Sequence, residues 1–78
     1  MSVKPIYLTR HAIQRALRYD LSAEAVEMII REGKRRAEGK TKTRYTLHSR
    51  RSTLVAICEE YPDQIIVLTI TRGGEKEK

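Results

Sequence analysis

The chain has 78 residues, of which 40% are hydrophobic and 33% charged, and it carries a net charge of +6. A chain this short builds one hydrophobic core, so a single domain over 1–78 is expected, and the composition excludes a disordered polymer. Phe and Trp are absent, which leaves Ile, Leu, Val, Ala, Met and some of the four tyrosines to fill a thin core. Such a core supplies about 3–5 kcal/mol, which makes support from a homodimer a natural expectation.

The single cysteine, Cys58, excludes an internal disulfide and a zinc quartet. It sits in the apolar run Leu54–Cys58 and reads as a buried, inert thiol. No apolar stretch approaches the ~18 residues of a membrane span, and no secretory signal opens the chain. No membrane partner and a cytoplasmic location are therefore expected.

Met1–Leu8 reads as a lead-in, because Pro5 interrupts any regular helix start. Thr9 then caps a helix from Arg10 to about Tyr19. At 100° per residue, Ala12, Ile13, Ala16 and Leu17 make its apolar face, while His11, Arg15 and Arg18 cluster opposite, within about 60° of one another. Asp20 and Leu21 form a short joint. Ser22 caps a second helix over Ala23–Glu32, with Glu24 in the first turn, where the helix dipole favours negative charge. Val26, Ile29 and Ile30 are its apolar stripe, flanked by Ala25 and Met28. Gly33 reads as a left-handed stop.

Beyond Gly33 the period changes. Lys34–Glu38 reads as a charged edge strand ending at Gly39. Arg44–Ser49 alternates, with Tyr45 and Leu47 on one side and Arg44, Thr46 and His48 on the other. Leu54–Glu59 and Ile65–Thr71 are strands joined by the turn Tyr61-Pro62-Asp63-Gln64, with Pro at its second position. Short connections make the last three an antiparallel meander. The predicted fold is α+β: two N-terminal helices (9–33) packed on a three- to four-stranded antiparallel sheet (34–72), between the lead-in and a disordered tail (73–78). The last two strands are apolar on both sides. One sheet face is thus left to meet a dimer partner, a ligand or a folded-over loop.

The charge is concentrated. Residues 31–51 hold nine basic groups against two acidic ones, giving +7, while residues 1–30 carry +1 and residues 52–78 carry −2. A cluster of this kind suits a polyanion, and its arginines suit forked contacts to phosphate. RNA or another nucleic acid is the expected partner, held by Arg35, Arg36, Arg44, Arg50 and Arg51 of the cluster. Arg15, Arg18 and Arg72 are the outlying contacts. Tyr45, among these cations, offers a stacking surface for an unpaired base. The plainer reading is that a charged edge strand stays soluble and resists edge pairing.

Two residues carry candidate chemistry. His11 shares a helix face with Arg15 and Arg18, where an imidazole can serve as base towards a ribose hydroxyl while the arginines hold phosphate. His48 lies beside Arg44, Arg50 and Arg51. A base and an acid of this type cleave RNA without a metal, provided the fold brings the two together. Otherwise His11 belongs to a solvated polar face. Glu59 and Glu60 read as solvent-facing carboxylates at a strand end. Neither a phosphate-cradling glycine motif nor a metal-ligand spacing occurs, so no metal and no cofactor are expected.

Leu8-Thr9-Arg10-His11-Ala12, followed by Arg15 and Arg18, resembles the opening of a widespread group of small domains of unknown function built on a His-Ala-x-x-Arg helix. Leu21-Ser22 entering the second helix, Glu32-Gly33 leaving it, and Ile66–Thr71 as the closing strand extend the resemblance over roughly residues 8–72. That group is similar to the RelE-like toxin superfamily of metal-independent ribonucleases and of relatives that have lost the activity. The resemblance implies a site at His11 and Arg15, with Arg18, Thr71 and Arg72 behind them, and a protein antitoxin as a partner. The chain departs from active toxins in its glycine-rich tail of mixed charge. The expected function is an RNA-binding, toxin-like domain with metal-independent endoribonuclease activity. The alternatives are a non-catalytic module that binds nucleic acid or a protein and dimerises through its sheet, and a structural dimer without a polyanion partner.

Overall fold

The computed structural model describes residues 4–50 and 52–73; Arg51, residues 1–3 and residues 74–78 of the expected tail lie outside the described residues. Helix α1 covers Arg10–Arg18 and α2 covers Ala23–Glu32. Both start on capping side chains: Thr9 Oγ1 accepts from the Ala12 N–H and Ser22 Oγ from the Ala25 N–H, each at 3.1 Å. Each cap satisfies a first-turn donor that has no intrahelical partner. Between the helices Asp20 takes φ 60°, a left-handed conformation that Asp tolerates better than most residues, and the Leu21 N–H donates to the Ala16 carbonyl at 2.8 Å.

Gly33 ends α2 for another reason than a left-handed stop. Its φ of −73° and ψ of 164° are extended, and the chain runs straight from the helix into a strand. Glycine is required by crowding: a Cβ there would press on the Ile29 carbonyl oxygen and stand 2.8 Å from the carbonyl oxygen of Thr46. The left-handed glycine is Gly39, at φ 73°.

Five strands follow the order β1-β5-β4-β3-β2 in one sheet: β1 Ile6–Leu8, β2 Lys34–Glu38, β3 Lys42–His48, β4 Thr53–Tyr61 and β5 Gln64–Gly73. The fold is α+β, but the sheet is mixed rather than three- or four-stranded and antiparallel. The segment expected to be a lead-in supplies β1, parallel to β5, with Ile6 opposite Ile65 and Leu8 opposite Val67. Pro5 fits at its start because it contributes only a carbonyl, which accepts from the Ile65 N–H at 3.0 Å. Gly73, expected in the tail, closes β5.

The β4–β5 register slips between Ile57, opposite Thr69, and Cys58, opposite Val67, which leaves Leu68 as an extra residue in a β-bulge. A bulge re-aims backbone groups. Here the Leu68 carbonyl accepts from Thr9 Oγ1 and the Val67 carbonyl from the Thr9 N–H, both at 3.0 Å. One threonine therefore caps α1 and fastens its first turn to β5.

Ala12 and Ala16 of α1 and Val26, Ile29 and Ile30 of α2 join Tyr45, Ala56, Cys58, Ile65, Val67 and Ile70 in one core. Helix α1 lies against β5 and β1, and α2 against β3 and β4. Only the alanines of α1 are buried, since their short side chains let the helix sit close to the sheet. Ile13 and Leu17, expected on its buried face, are 46% and 72% exposed, and Met28 of α2 is likewise exposed. Strand alternation directs Tyr7, Val55, Ile57 and Ile66 to the opposite side of the sheet, which neither helix covers.

Candidate functional site

Of the basic residues of the middle segment, Arg31 lies on α2, Lys40 between β2 and β3 and Arg50 after β3, while alternation divides the five on β2 and β3 between two faces. Arg35 pairs with Tyr45 on the helix side. Lys34, Arg36, Lys42, Arg44 and His48 belong to the open side, with Thr46. His48, Thr46, Lys34, Arg36 and Arg44, together with Arg35 at the β2 edge, line a hollow of about 480 Å³. His48 Nδ1 lies 3.1 Å from Thr53 Oγ1, a hydrogen bond across the β3–β4 pair.

His11 stands on α1, on the other side of the sheet. With Gln14, Arg15 and Arg18 it lines a shallow hollow of about 340 Å³ made by a single helix. The sheet separates the two imidazoles, so the expected base-and-acid pair of His11 and His48 is not assembled. The cause is parity: Tyr45 and Leu47 pack into the core beneath the helices, which turns His48 outward.

Parity also removes Tyr45 as a stacking surface. It is 4% exposed, beneath α2, and its hydroxyl donates to Glu60 Oε1 at 3.0 Å. Burial and the adjacent Glu60 carboxylate push the phenol pKa up. Glu60 in turn is no solvent-facing strand end. Its side chain is 20% exposed and also receives Lys4 Nζ on Oε2 at 3.2 Å and the Arg35 guanidinium on Oε1 at 3.1 Å. Burial works against ionisation, but the hydrogen bonds from Lys4, Tyr45 and Arg35 outweigh it and hold the carboxyl below its ordinary range. Among the described residues no buried side-chain nitrogen or oxygen lacks a partner.

These contacts sort the expected phosphate ligands. Arg35 is held by Glu60, and Arg44 Nε by Glu38 Oε2 at 2.9 Å. Arg15 Nη1 donates to the Tyr19 hydroxyl at 3.1 Å, and Arg72 Nε to Ser52 Oγ at 3.3 Å. Arg18, Arg36 and Arg50 are exposed and have no carboxylate within 4.0 Å among the described residues. Arg51 lies outside them. Cys58 is fully buried, and desolvation, with the nearby Glu60 charge, pushes its pKa up to about 12.

The aromatic rings that do reach solvent are elsewhere. Tyr7 is 54% exposed and Tyr61 40% exposed. Tyr7 lies opposite Ile66, so it stands on the open face at the end of an aliphatic strip formed with Ile66, Ile57 and Val55. The alternation Ile6-Tyr7-Leu8 carried this signal, but a three-residue strand is too short to be read as one. Comparison of the chain with protein-family models, curated proteins and solved structures finds no match.

Proposed function

We propose that this protein binds single-stranded RNA on the open face of its sheet. One observation carries the reading: Lys34, Arg36 and Arg44 gather on the β2–β3 half of that face, beside half-buried Val55, Ile57 and Ile66 and exposed Tyr7, and outnumber the two carboxylates there, Glu38 and Glu59. Phosphates suit the cationic half, where each neutralised charge releases a counterion. Unstacked bases suit the apolar half, because every base has a π-face that an aromatic or aliphatic surface can cover. A duplex hides those faces, so the pairing of the two halves favours a single strand. RNA rather than DNA follows from the resemblance to toxin-like ribonucleases.

Binding of a short fluorescent RNA at several salt concentrations tests the reading. The logarithm of affinity falls with log salt by about 0.7 per phosphate contact, and Lys34→Ala and Arg36→Ala each remove about one such contact. A flat salt dependence, or variants with wild-type affinity and slope, rejects it.

A second reading has its own support in the hollow that joins His11 to Arg15 and Arg18. An imidazole beside two guanidinium groups is equipped to take a proton from a ribose hydroxyl while phosphate is held. In this reading the protein is a metal-independent ribonuclease whose proton-transfer group is His11 alone. Incubation of RNA with wild-type protein and with His11→Ala, in the presence of a chelator, decides the matter. Loss of cleavage in the variant supports the enzyme. Absence of cleavage in both, or equal cleavage by both, rejects His11 as the proton-transfer group.

A further inference from the structure

A hollow of about 430 Å³ lies on the helix side of the sheet, where the α1–α2 turn, the β3–β4 loop and the end of β5 meet. Its apolar part comes from Tyr19, Leu21 and Leu54, which pack against the core. Its polar part comes from Ser49, Arg50, Ser52 and Arg72, and among the described residues no Asp or Glu side chain lines it. We infer that this hollow binds a nucleoside monophosphate, either free or as the phosphorylated end of an RNA strand.

The hydrogen bonds around it set the polarity. The Tyr19 hydroxyl accepts from Arg15 Nη1, so its own hydrogen remains to be donated. Ser52 Oγ accepts from Arg72 Nε, which leaves the serine hydrogen free and fixes the guanidinium. The loop is braced from within: the Ser49 N–H and Oγ both bond the Ser52 carbonyl, each at 2.9 Å. Donors held in this way, with no carboxylate among the described lining residues, suit an anion, and a planar guanidinium suits phosphate in particular. The apolar part gives a ring system somewhere to lie. Three chain-remote segments supply these groups, so they meet only in the folded protein. The volume falls in the range of small-ligand sites, about 300–1,000 Å³.

The inference rests on the RNA-binding reading for the strand end as an occupant, not for the free nucleotide. The test is a titration of the full-length protein with UMP and with uridine, followed by NMR. UMP is expected to bind at least tenfold tighter and to shift signals of Tyr19, Ser52 and Arg72. Arg72→Gln and Arg50→Gln, both at exposed positions, are expected to bring UMP affinity down towards that of uridine while thermal unfolding is unchanged. Equal binding of the two ligands, or full UMP affinity in Arg72→Gln, overturns the proposal. A second arm compares RNA oligomers with a 5′-phosphate or a 5′-hydroxyl. A strand-end site gives tighter binding of the phosphorylated oligomer, lost in Arg72→Gln, whereas Arg36→Ala weakens both oligomers alike. UMP binding without oligomer binding supports a free-nucleotide site and rejects the sheet-face reading. Oligomer binding indifferent to the phosphate, with no UMP binding, rejects the hollow and leaves the sheet face standing.

Discussion

The Tyr45 hydroxyl donates to Glu60 Oε1 at 3.0 Å, joining the centre of β3 to the far end of β4 beneath the helices. Lys4 and Arg35 bind the same carboxylate, so Glu60 ties together the approach to β1, the edge strand β2 and the core tyrosine. Tyr45→Phe removes one donor to an ionised acceptor and keeps the ring's packing. It is expected to lower stability by about 1–2 kcal/mol, read as an earlier urea midpoint with an unchanged slope.

The same carboxylate sets an acid limit. Its folded pKa lies below its ordinary value, so the unfolded chain takes up the proton more readily and stability rises with pH through that interval. The contribution is complete above about pH 5 and drains away as pH falls through about 4.3 towards the folded value. Melting temperatures measured from pH 7 to pH 3 are expected to fall at the acid end. Glu60→Gln should start lower and fall less steeply; an acid limb parallel to wild type would deny Glu60 this role.

Gly33 and Gly39 separate two reasons for glycine. Gly33→Ala drives a methyl group against two backbone carbonyls that cannot swing aside, at a cost of about 3 kcal/mol. Gly39→Ala meets nothing within 4 Å and carries only the left-handed backbone penalty, about 1 kcal/mol. Chemical denaturation of both variants checks the order, which reverses if backbone handedness costs more than crowding.

On the open face Tyr7 is available where Tyr45 is not. Tyr7→Ala is expected to weaken RNA binding by about 1–3 kcal/mol while leaving the melting temperature within a degree or two. Unchanged RNA affinity in a folded Tyr7→Ala would remove the aromatic part of the proposed surface.

Cys58 is expected to resist thiol reagents in the native protein. Its pKa near 12 and complete burial leave almost no accessible thiolate at neutral pH. Modification should therefore accelerate by orders of magnitude once denaturant passes the unfolding midpoint.

Local chemistry made much of this legible. The caps at Thr9 and Ser22 and the stripe of Val26, Ile29 and Ile30 mark both helices within a residue or so of where they lie. Alternation in β3 grouped Tyr45 with Leu47, a pairing that the reading of Tyr45 as a stacking surface overlooked. What escaped depends on distant partners. Strand β1 has three residues and is defined by a neighbour almost sixty positions away. The environment of Glu60 is made by Lys4, 56 residues off, and Arg35, 25 residues off. Ile13 and Leu17 fit an apolar helix face, yet α1 lies near the sheet margin and buries only its alanines. The two histidines were separated by strand parity together with the side on which the helices pack, and the second of these is a property of the whole fold.

The pairing of β1 with β5 also bears on the order of assembly. Thr9 fastens α1 to the carbonyls of Val67 and Leu68, so the first helix has no mooring until the last strand exists. During synthesis, α2 can meet β3 and β4 early, while Ile6–Leu8 and the first turn of α1 wait for nearly the whole chain. Closing so long a loop is slow relative to forming the β3–β4 hairpin. A chain halted before Ile65 would therefore carry its His11 and Arg15 on an undocked helix, and the surface they help form comes into being only as the final strand is laid down.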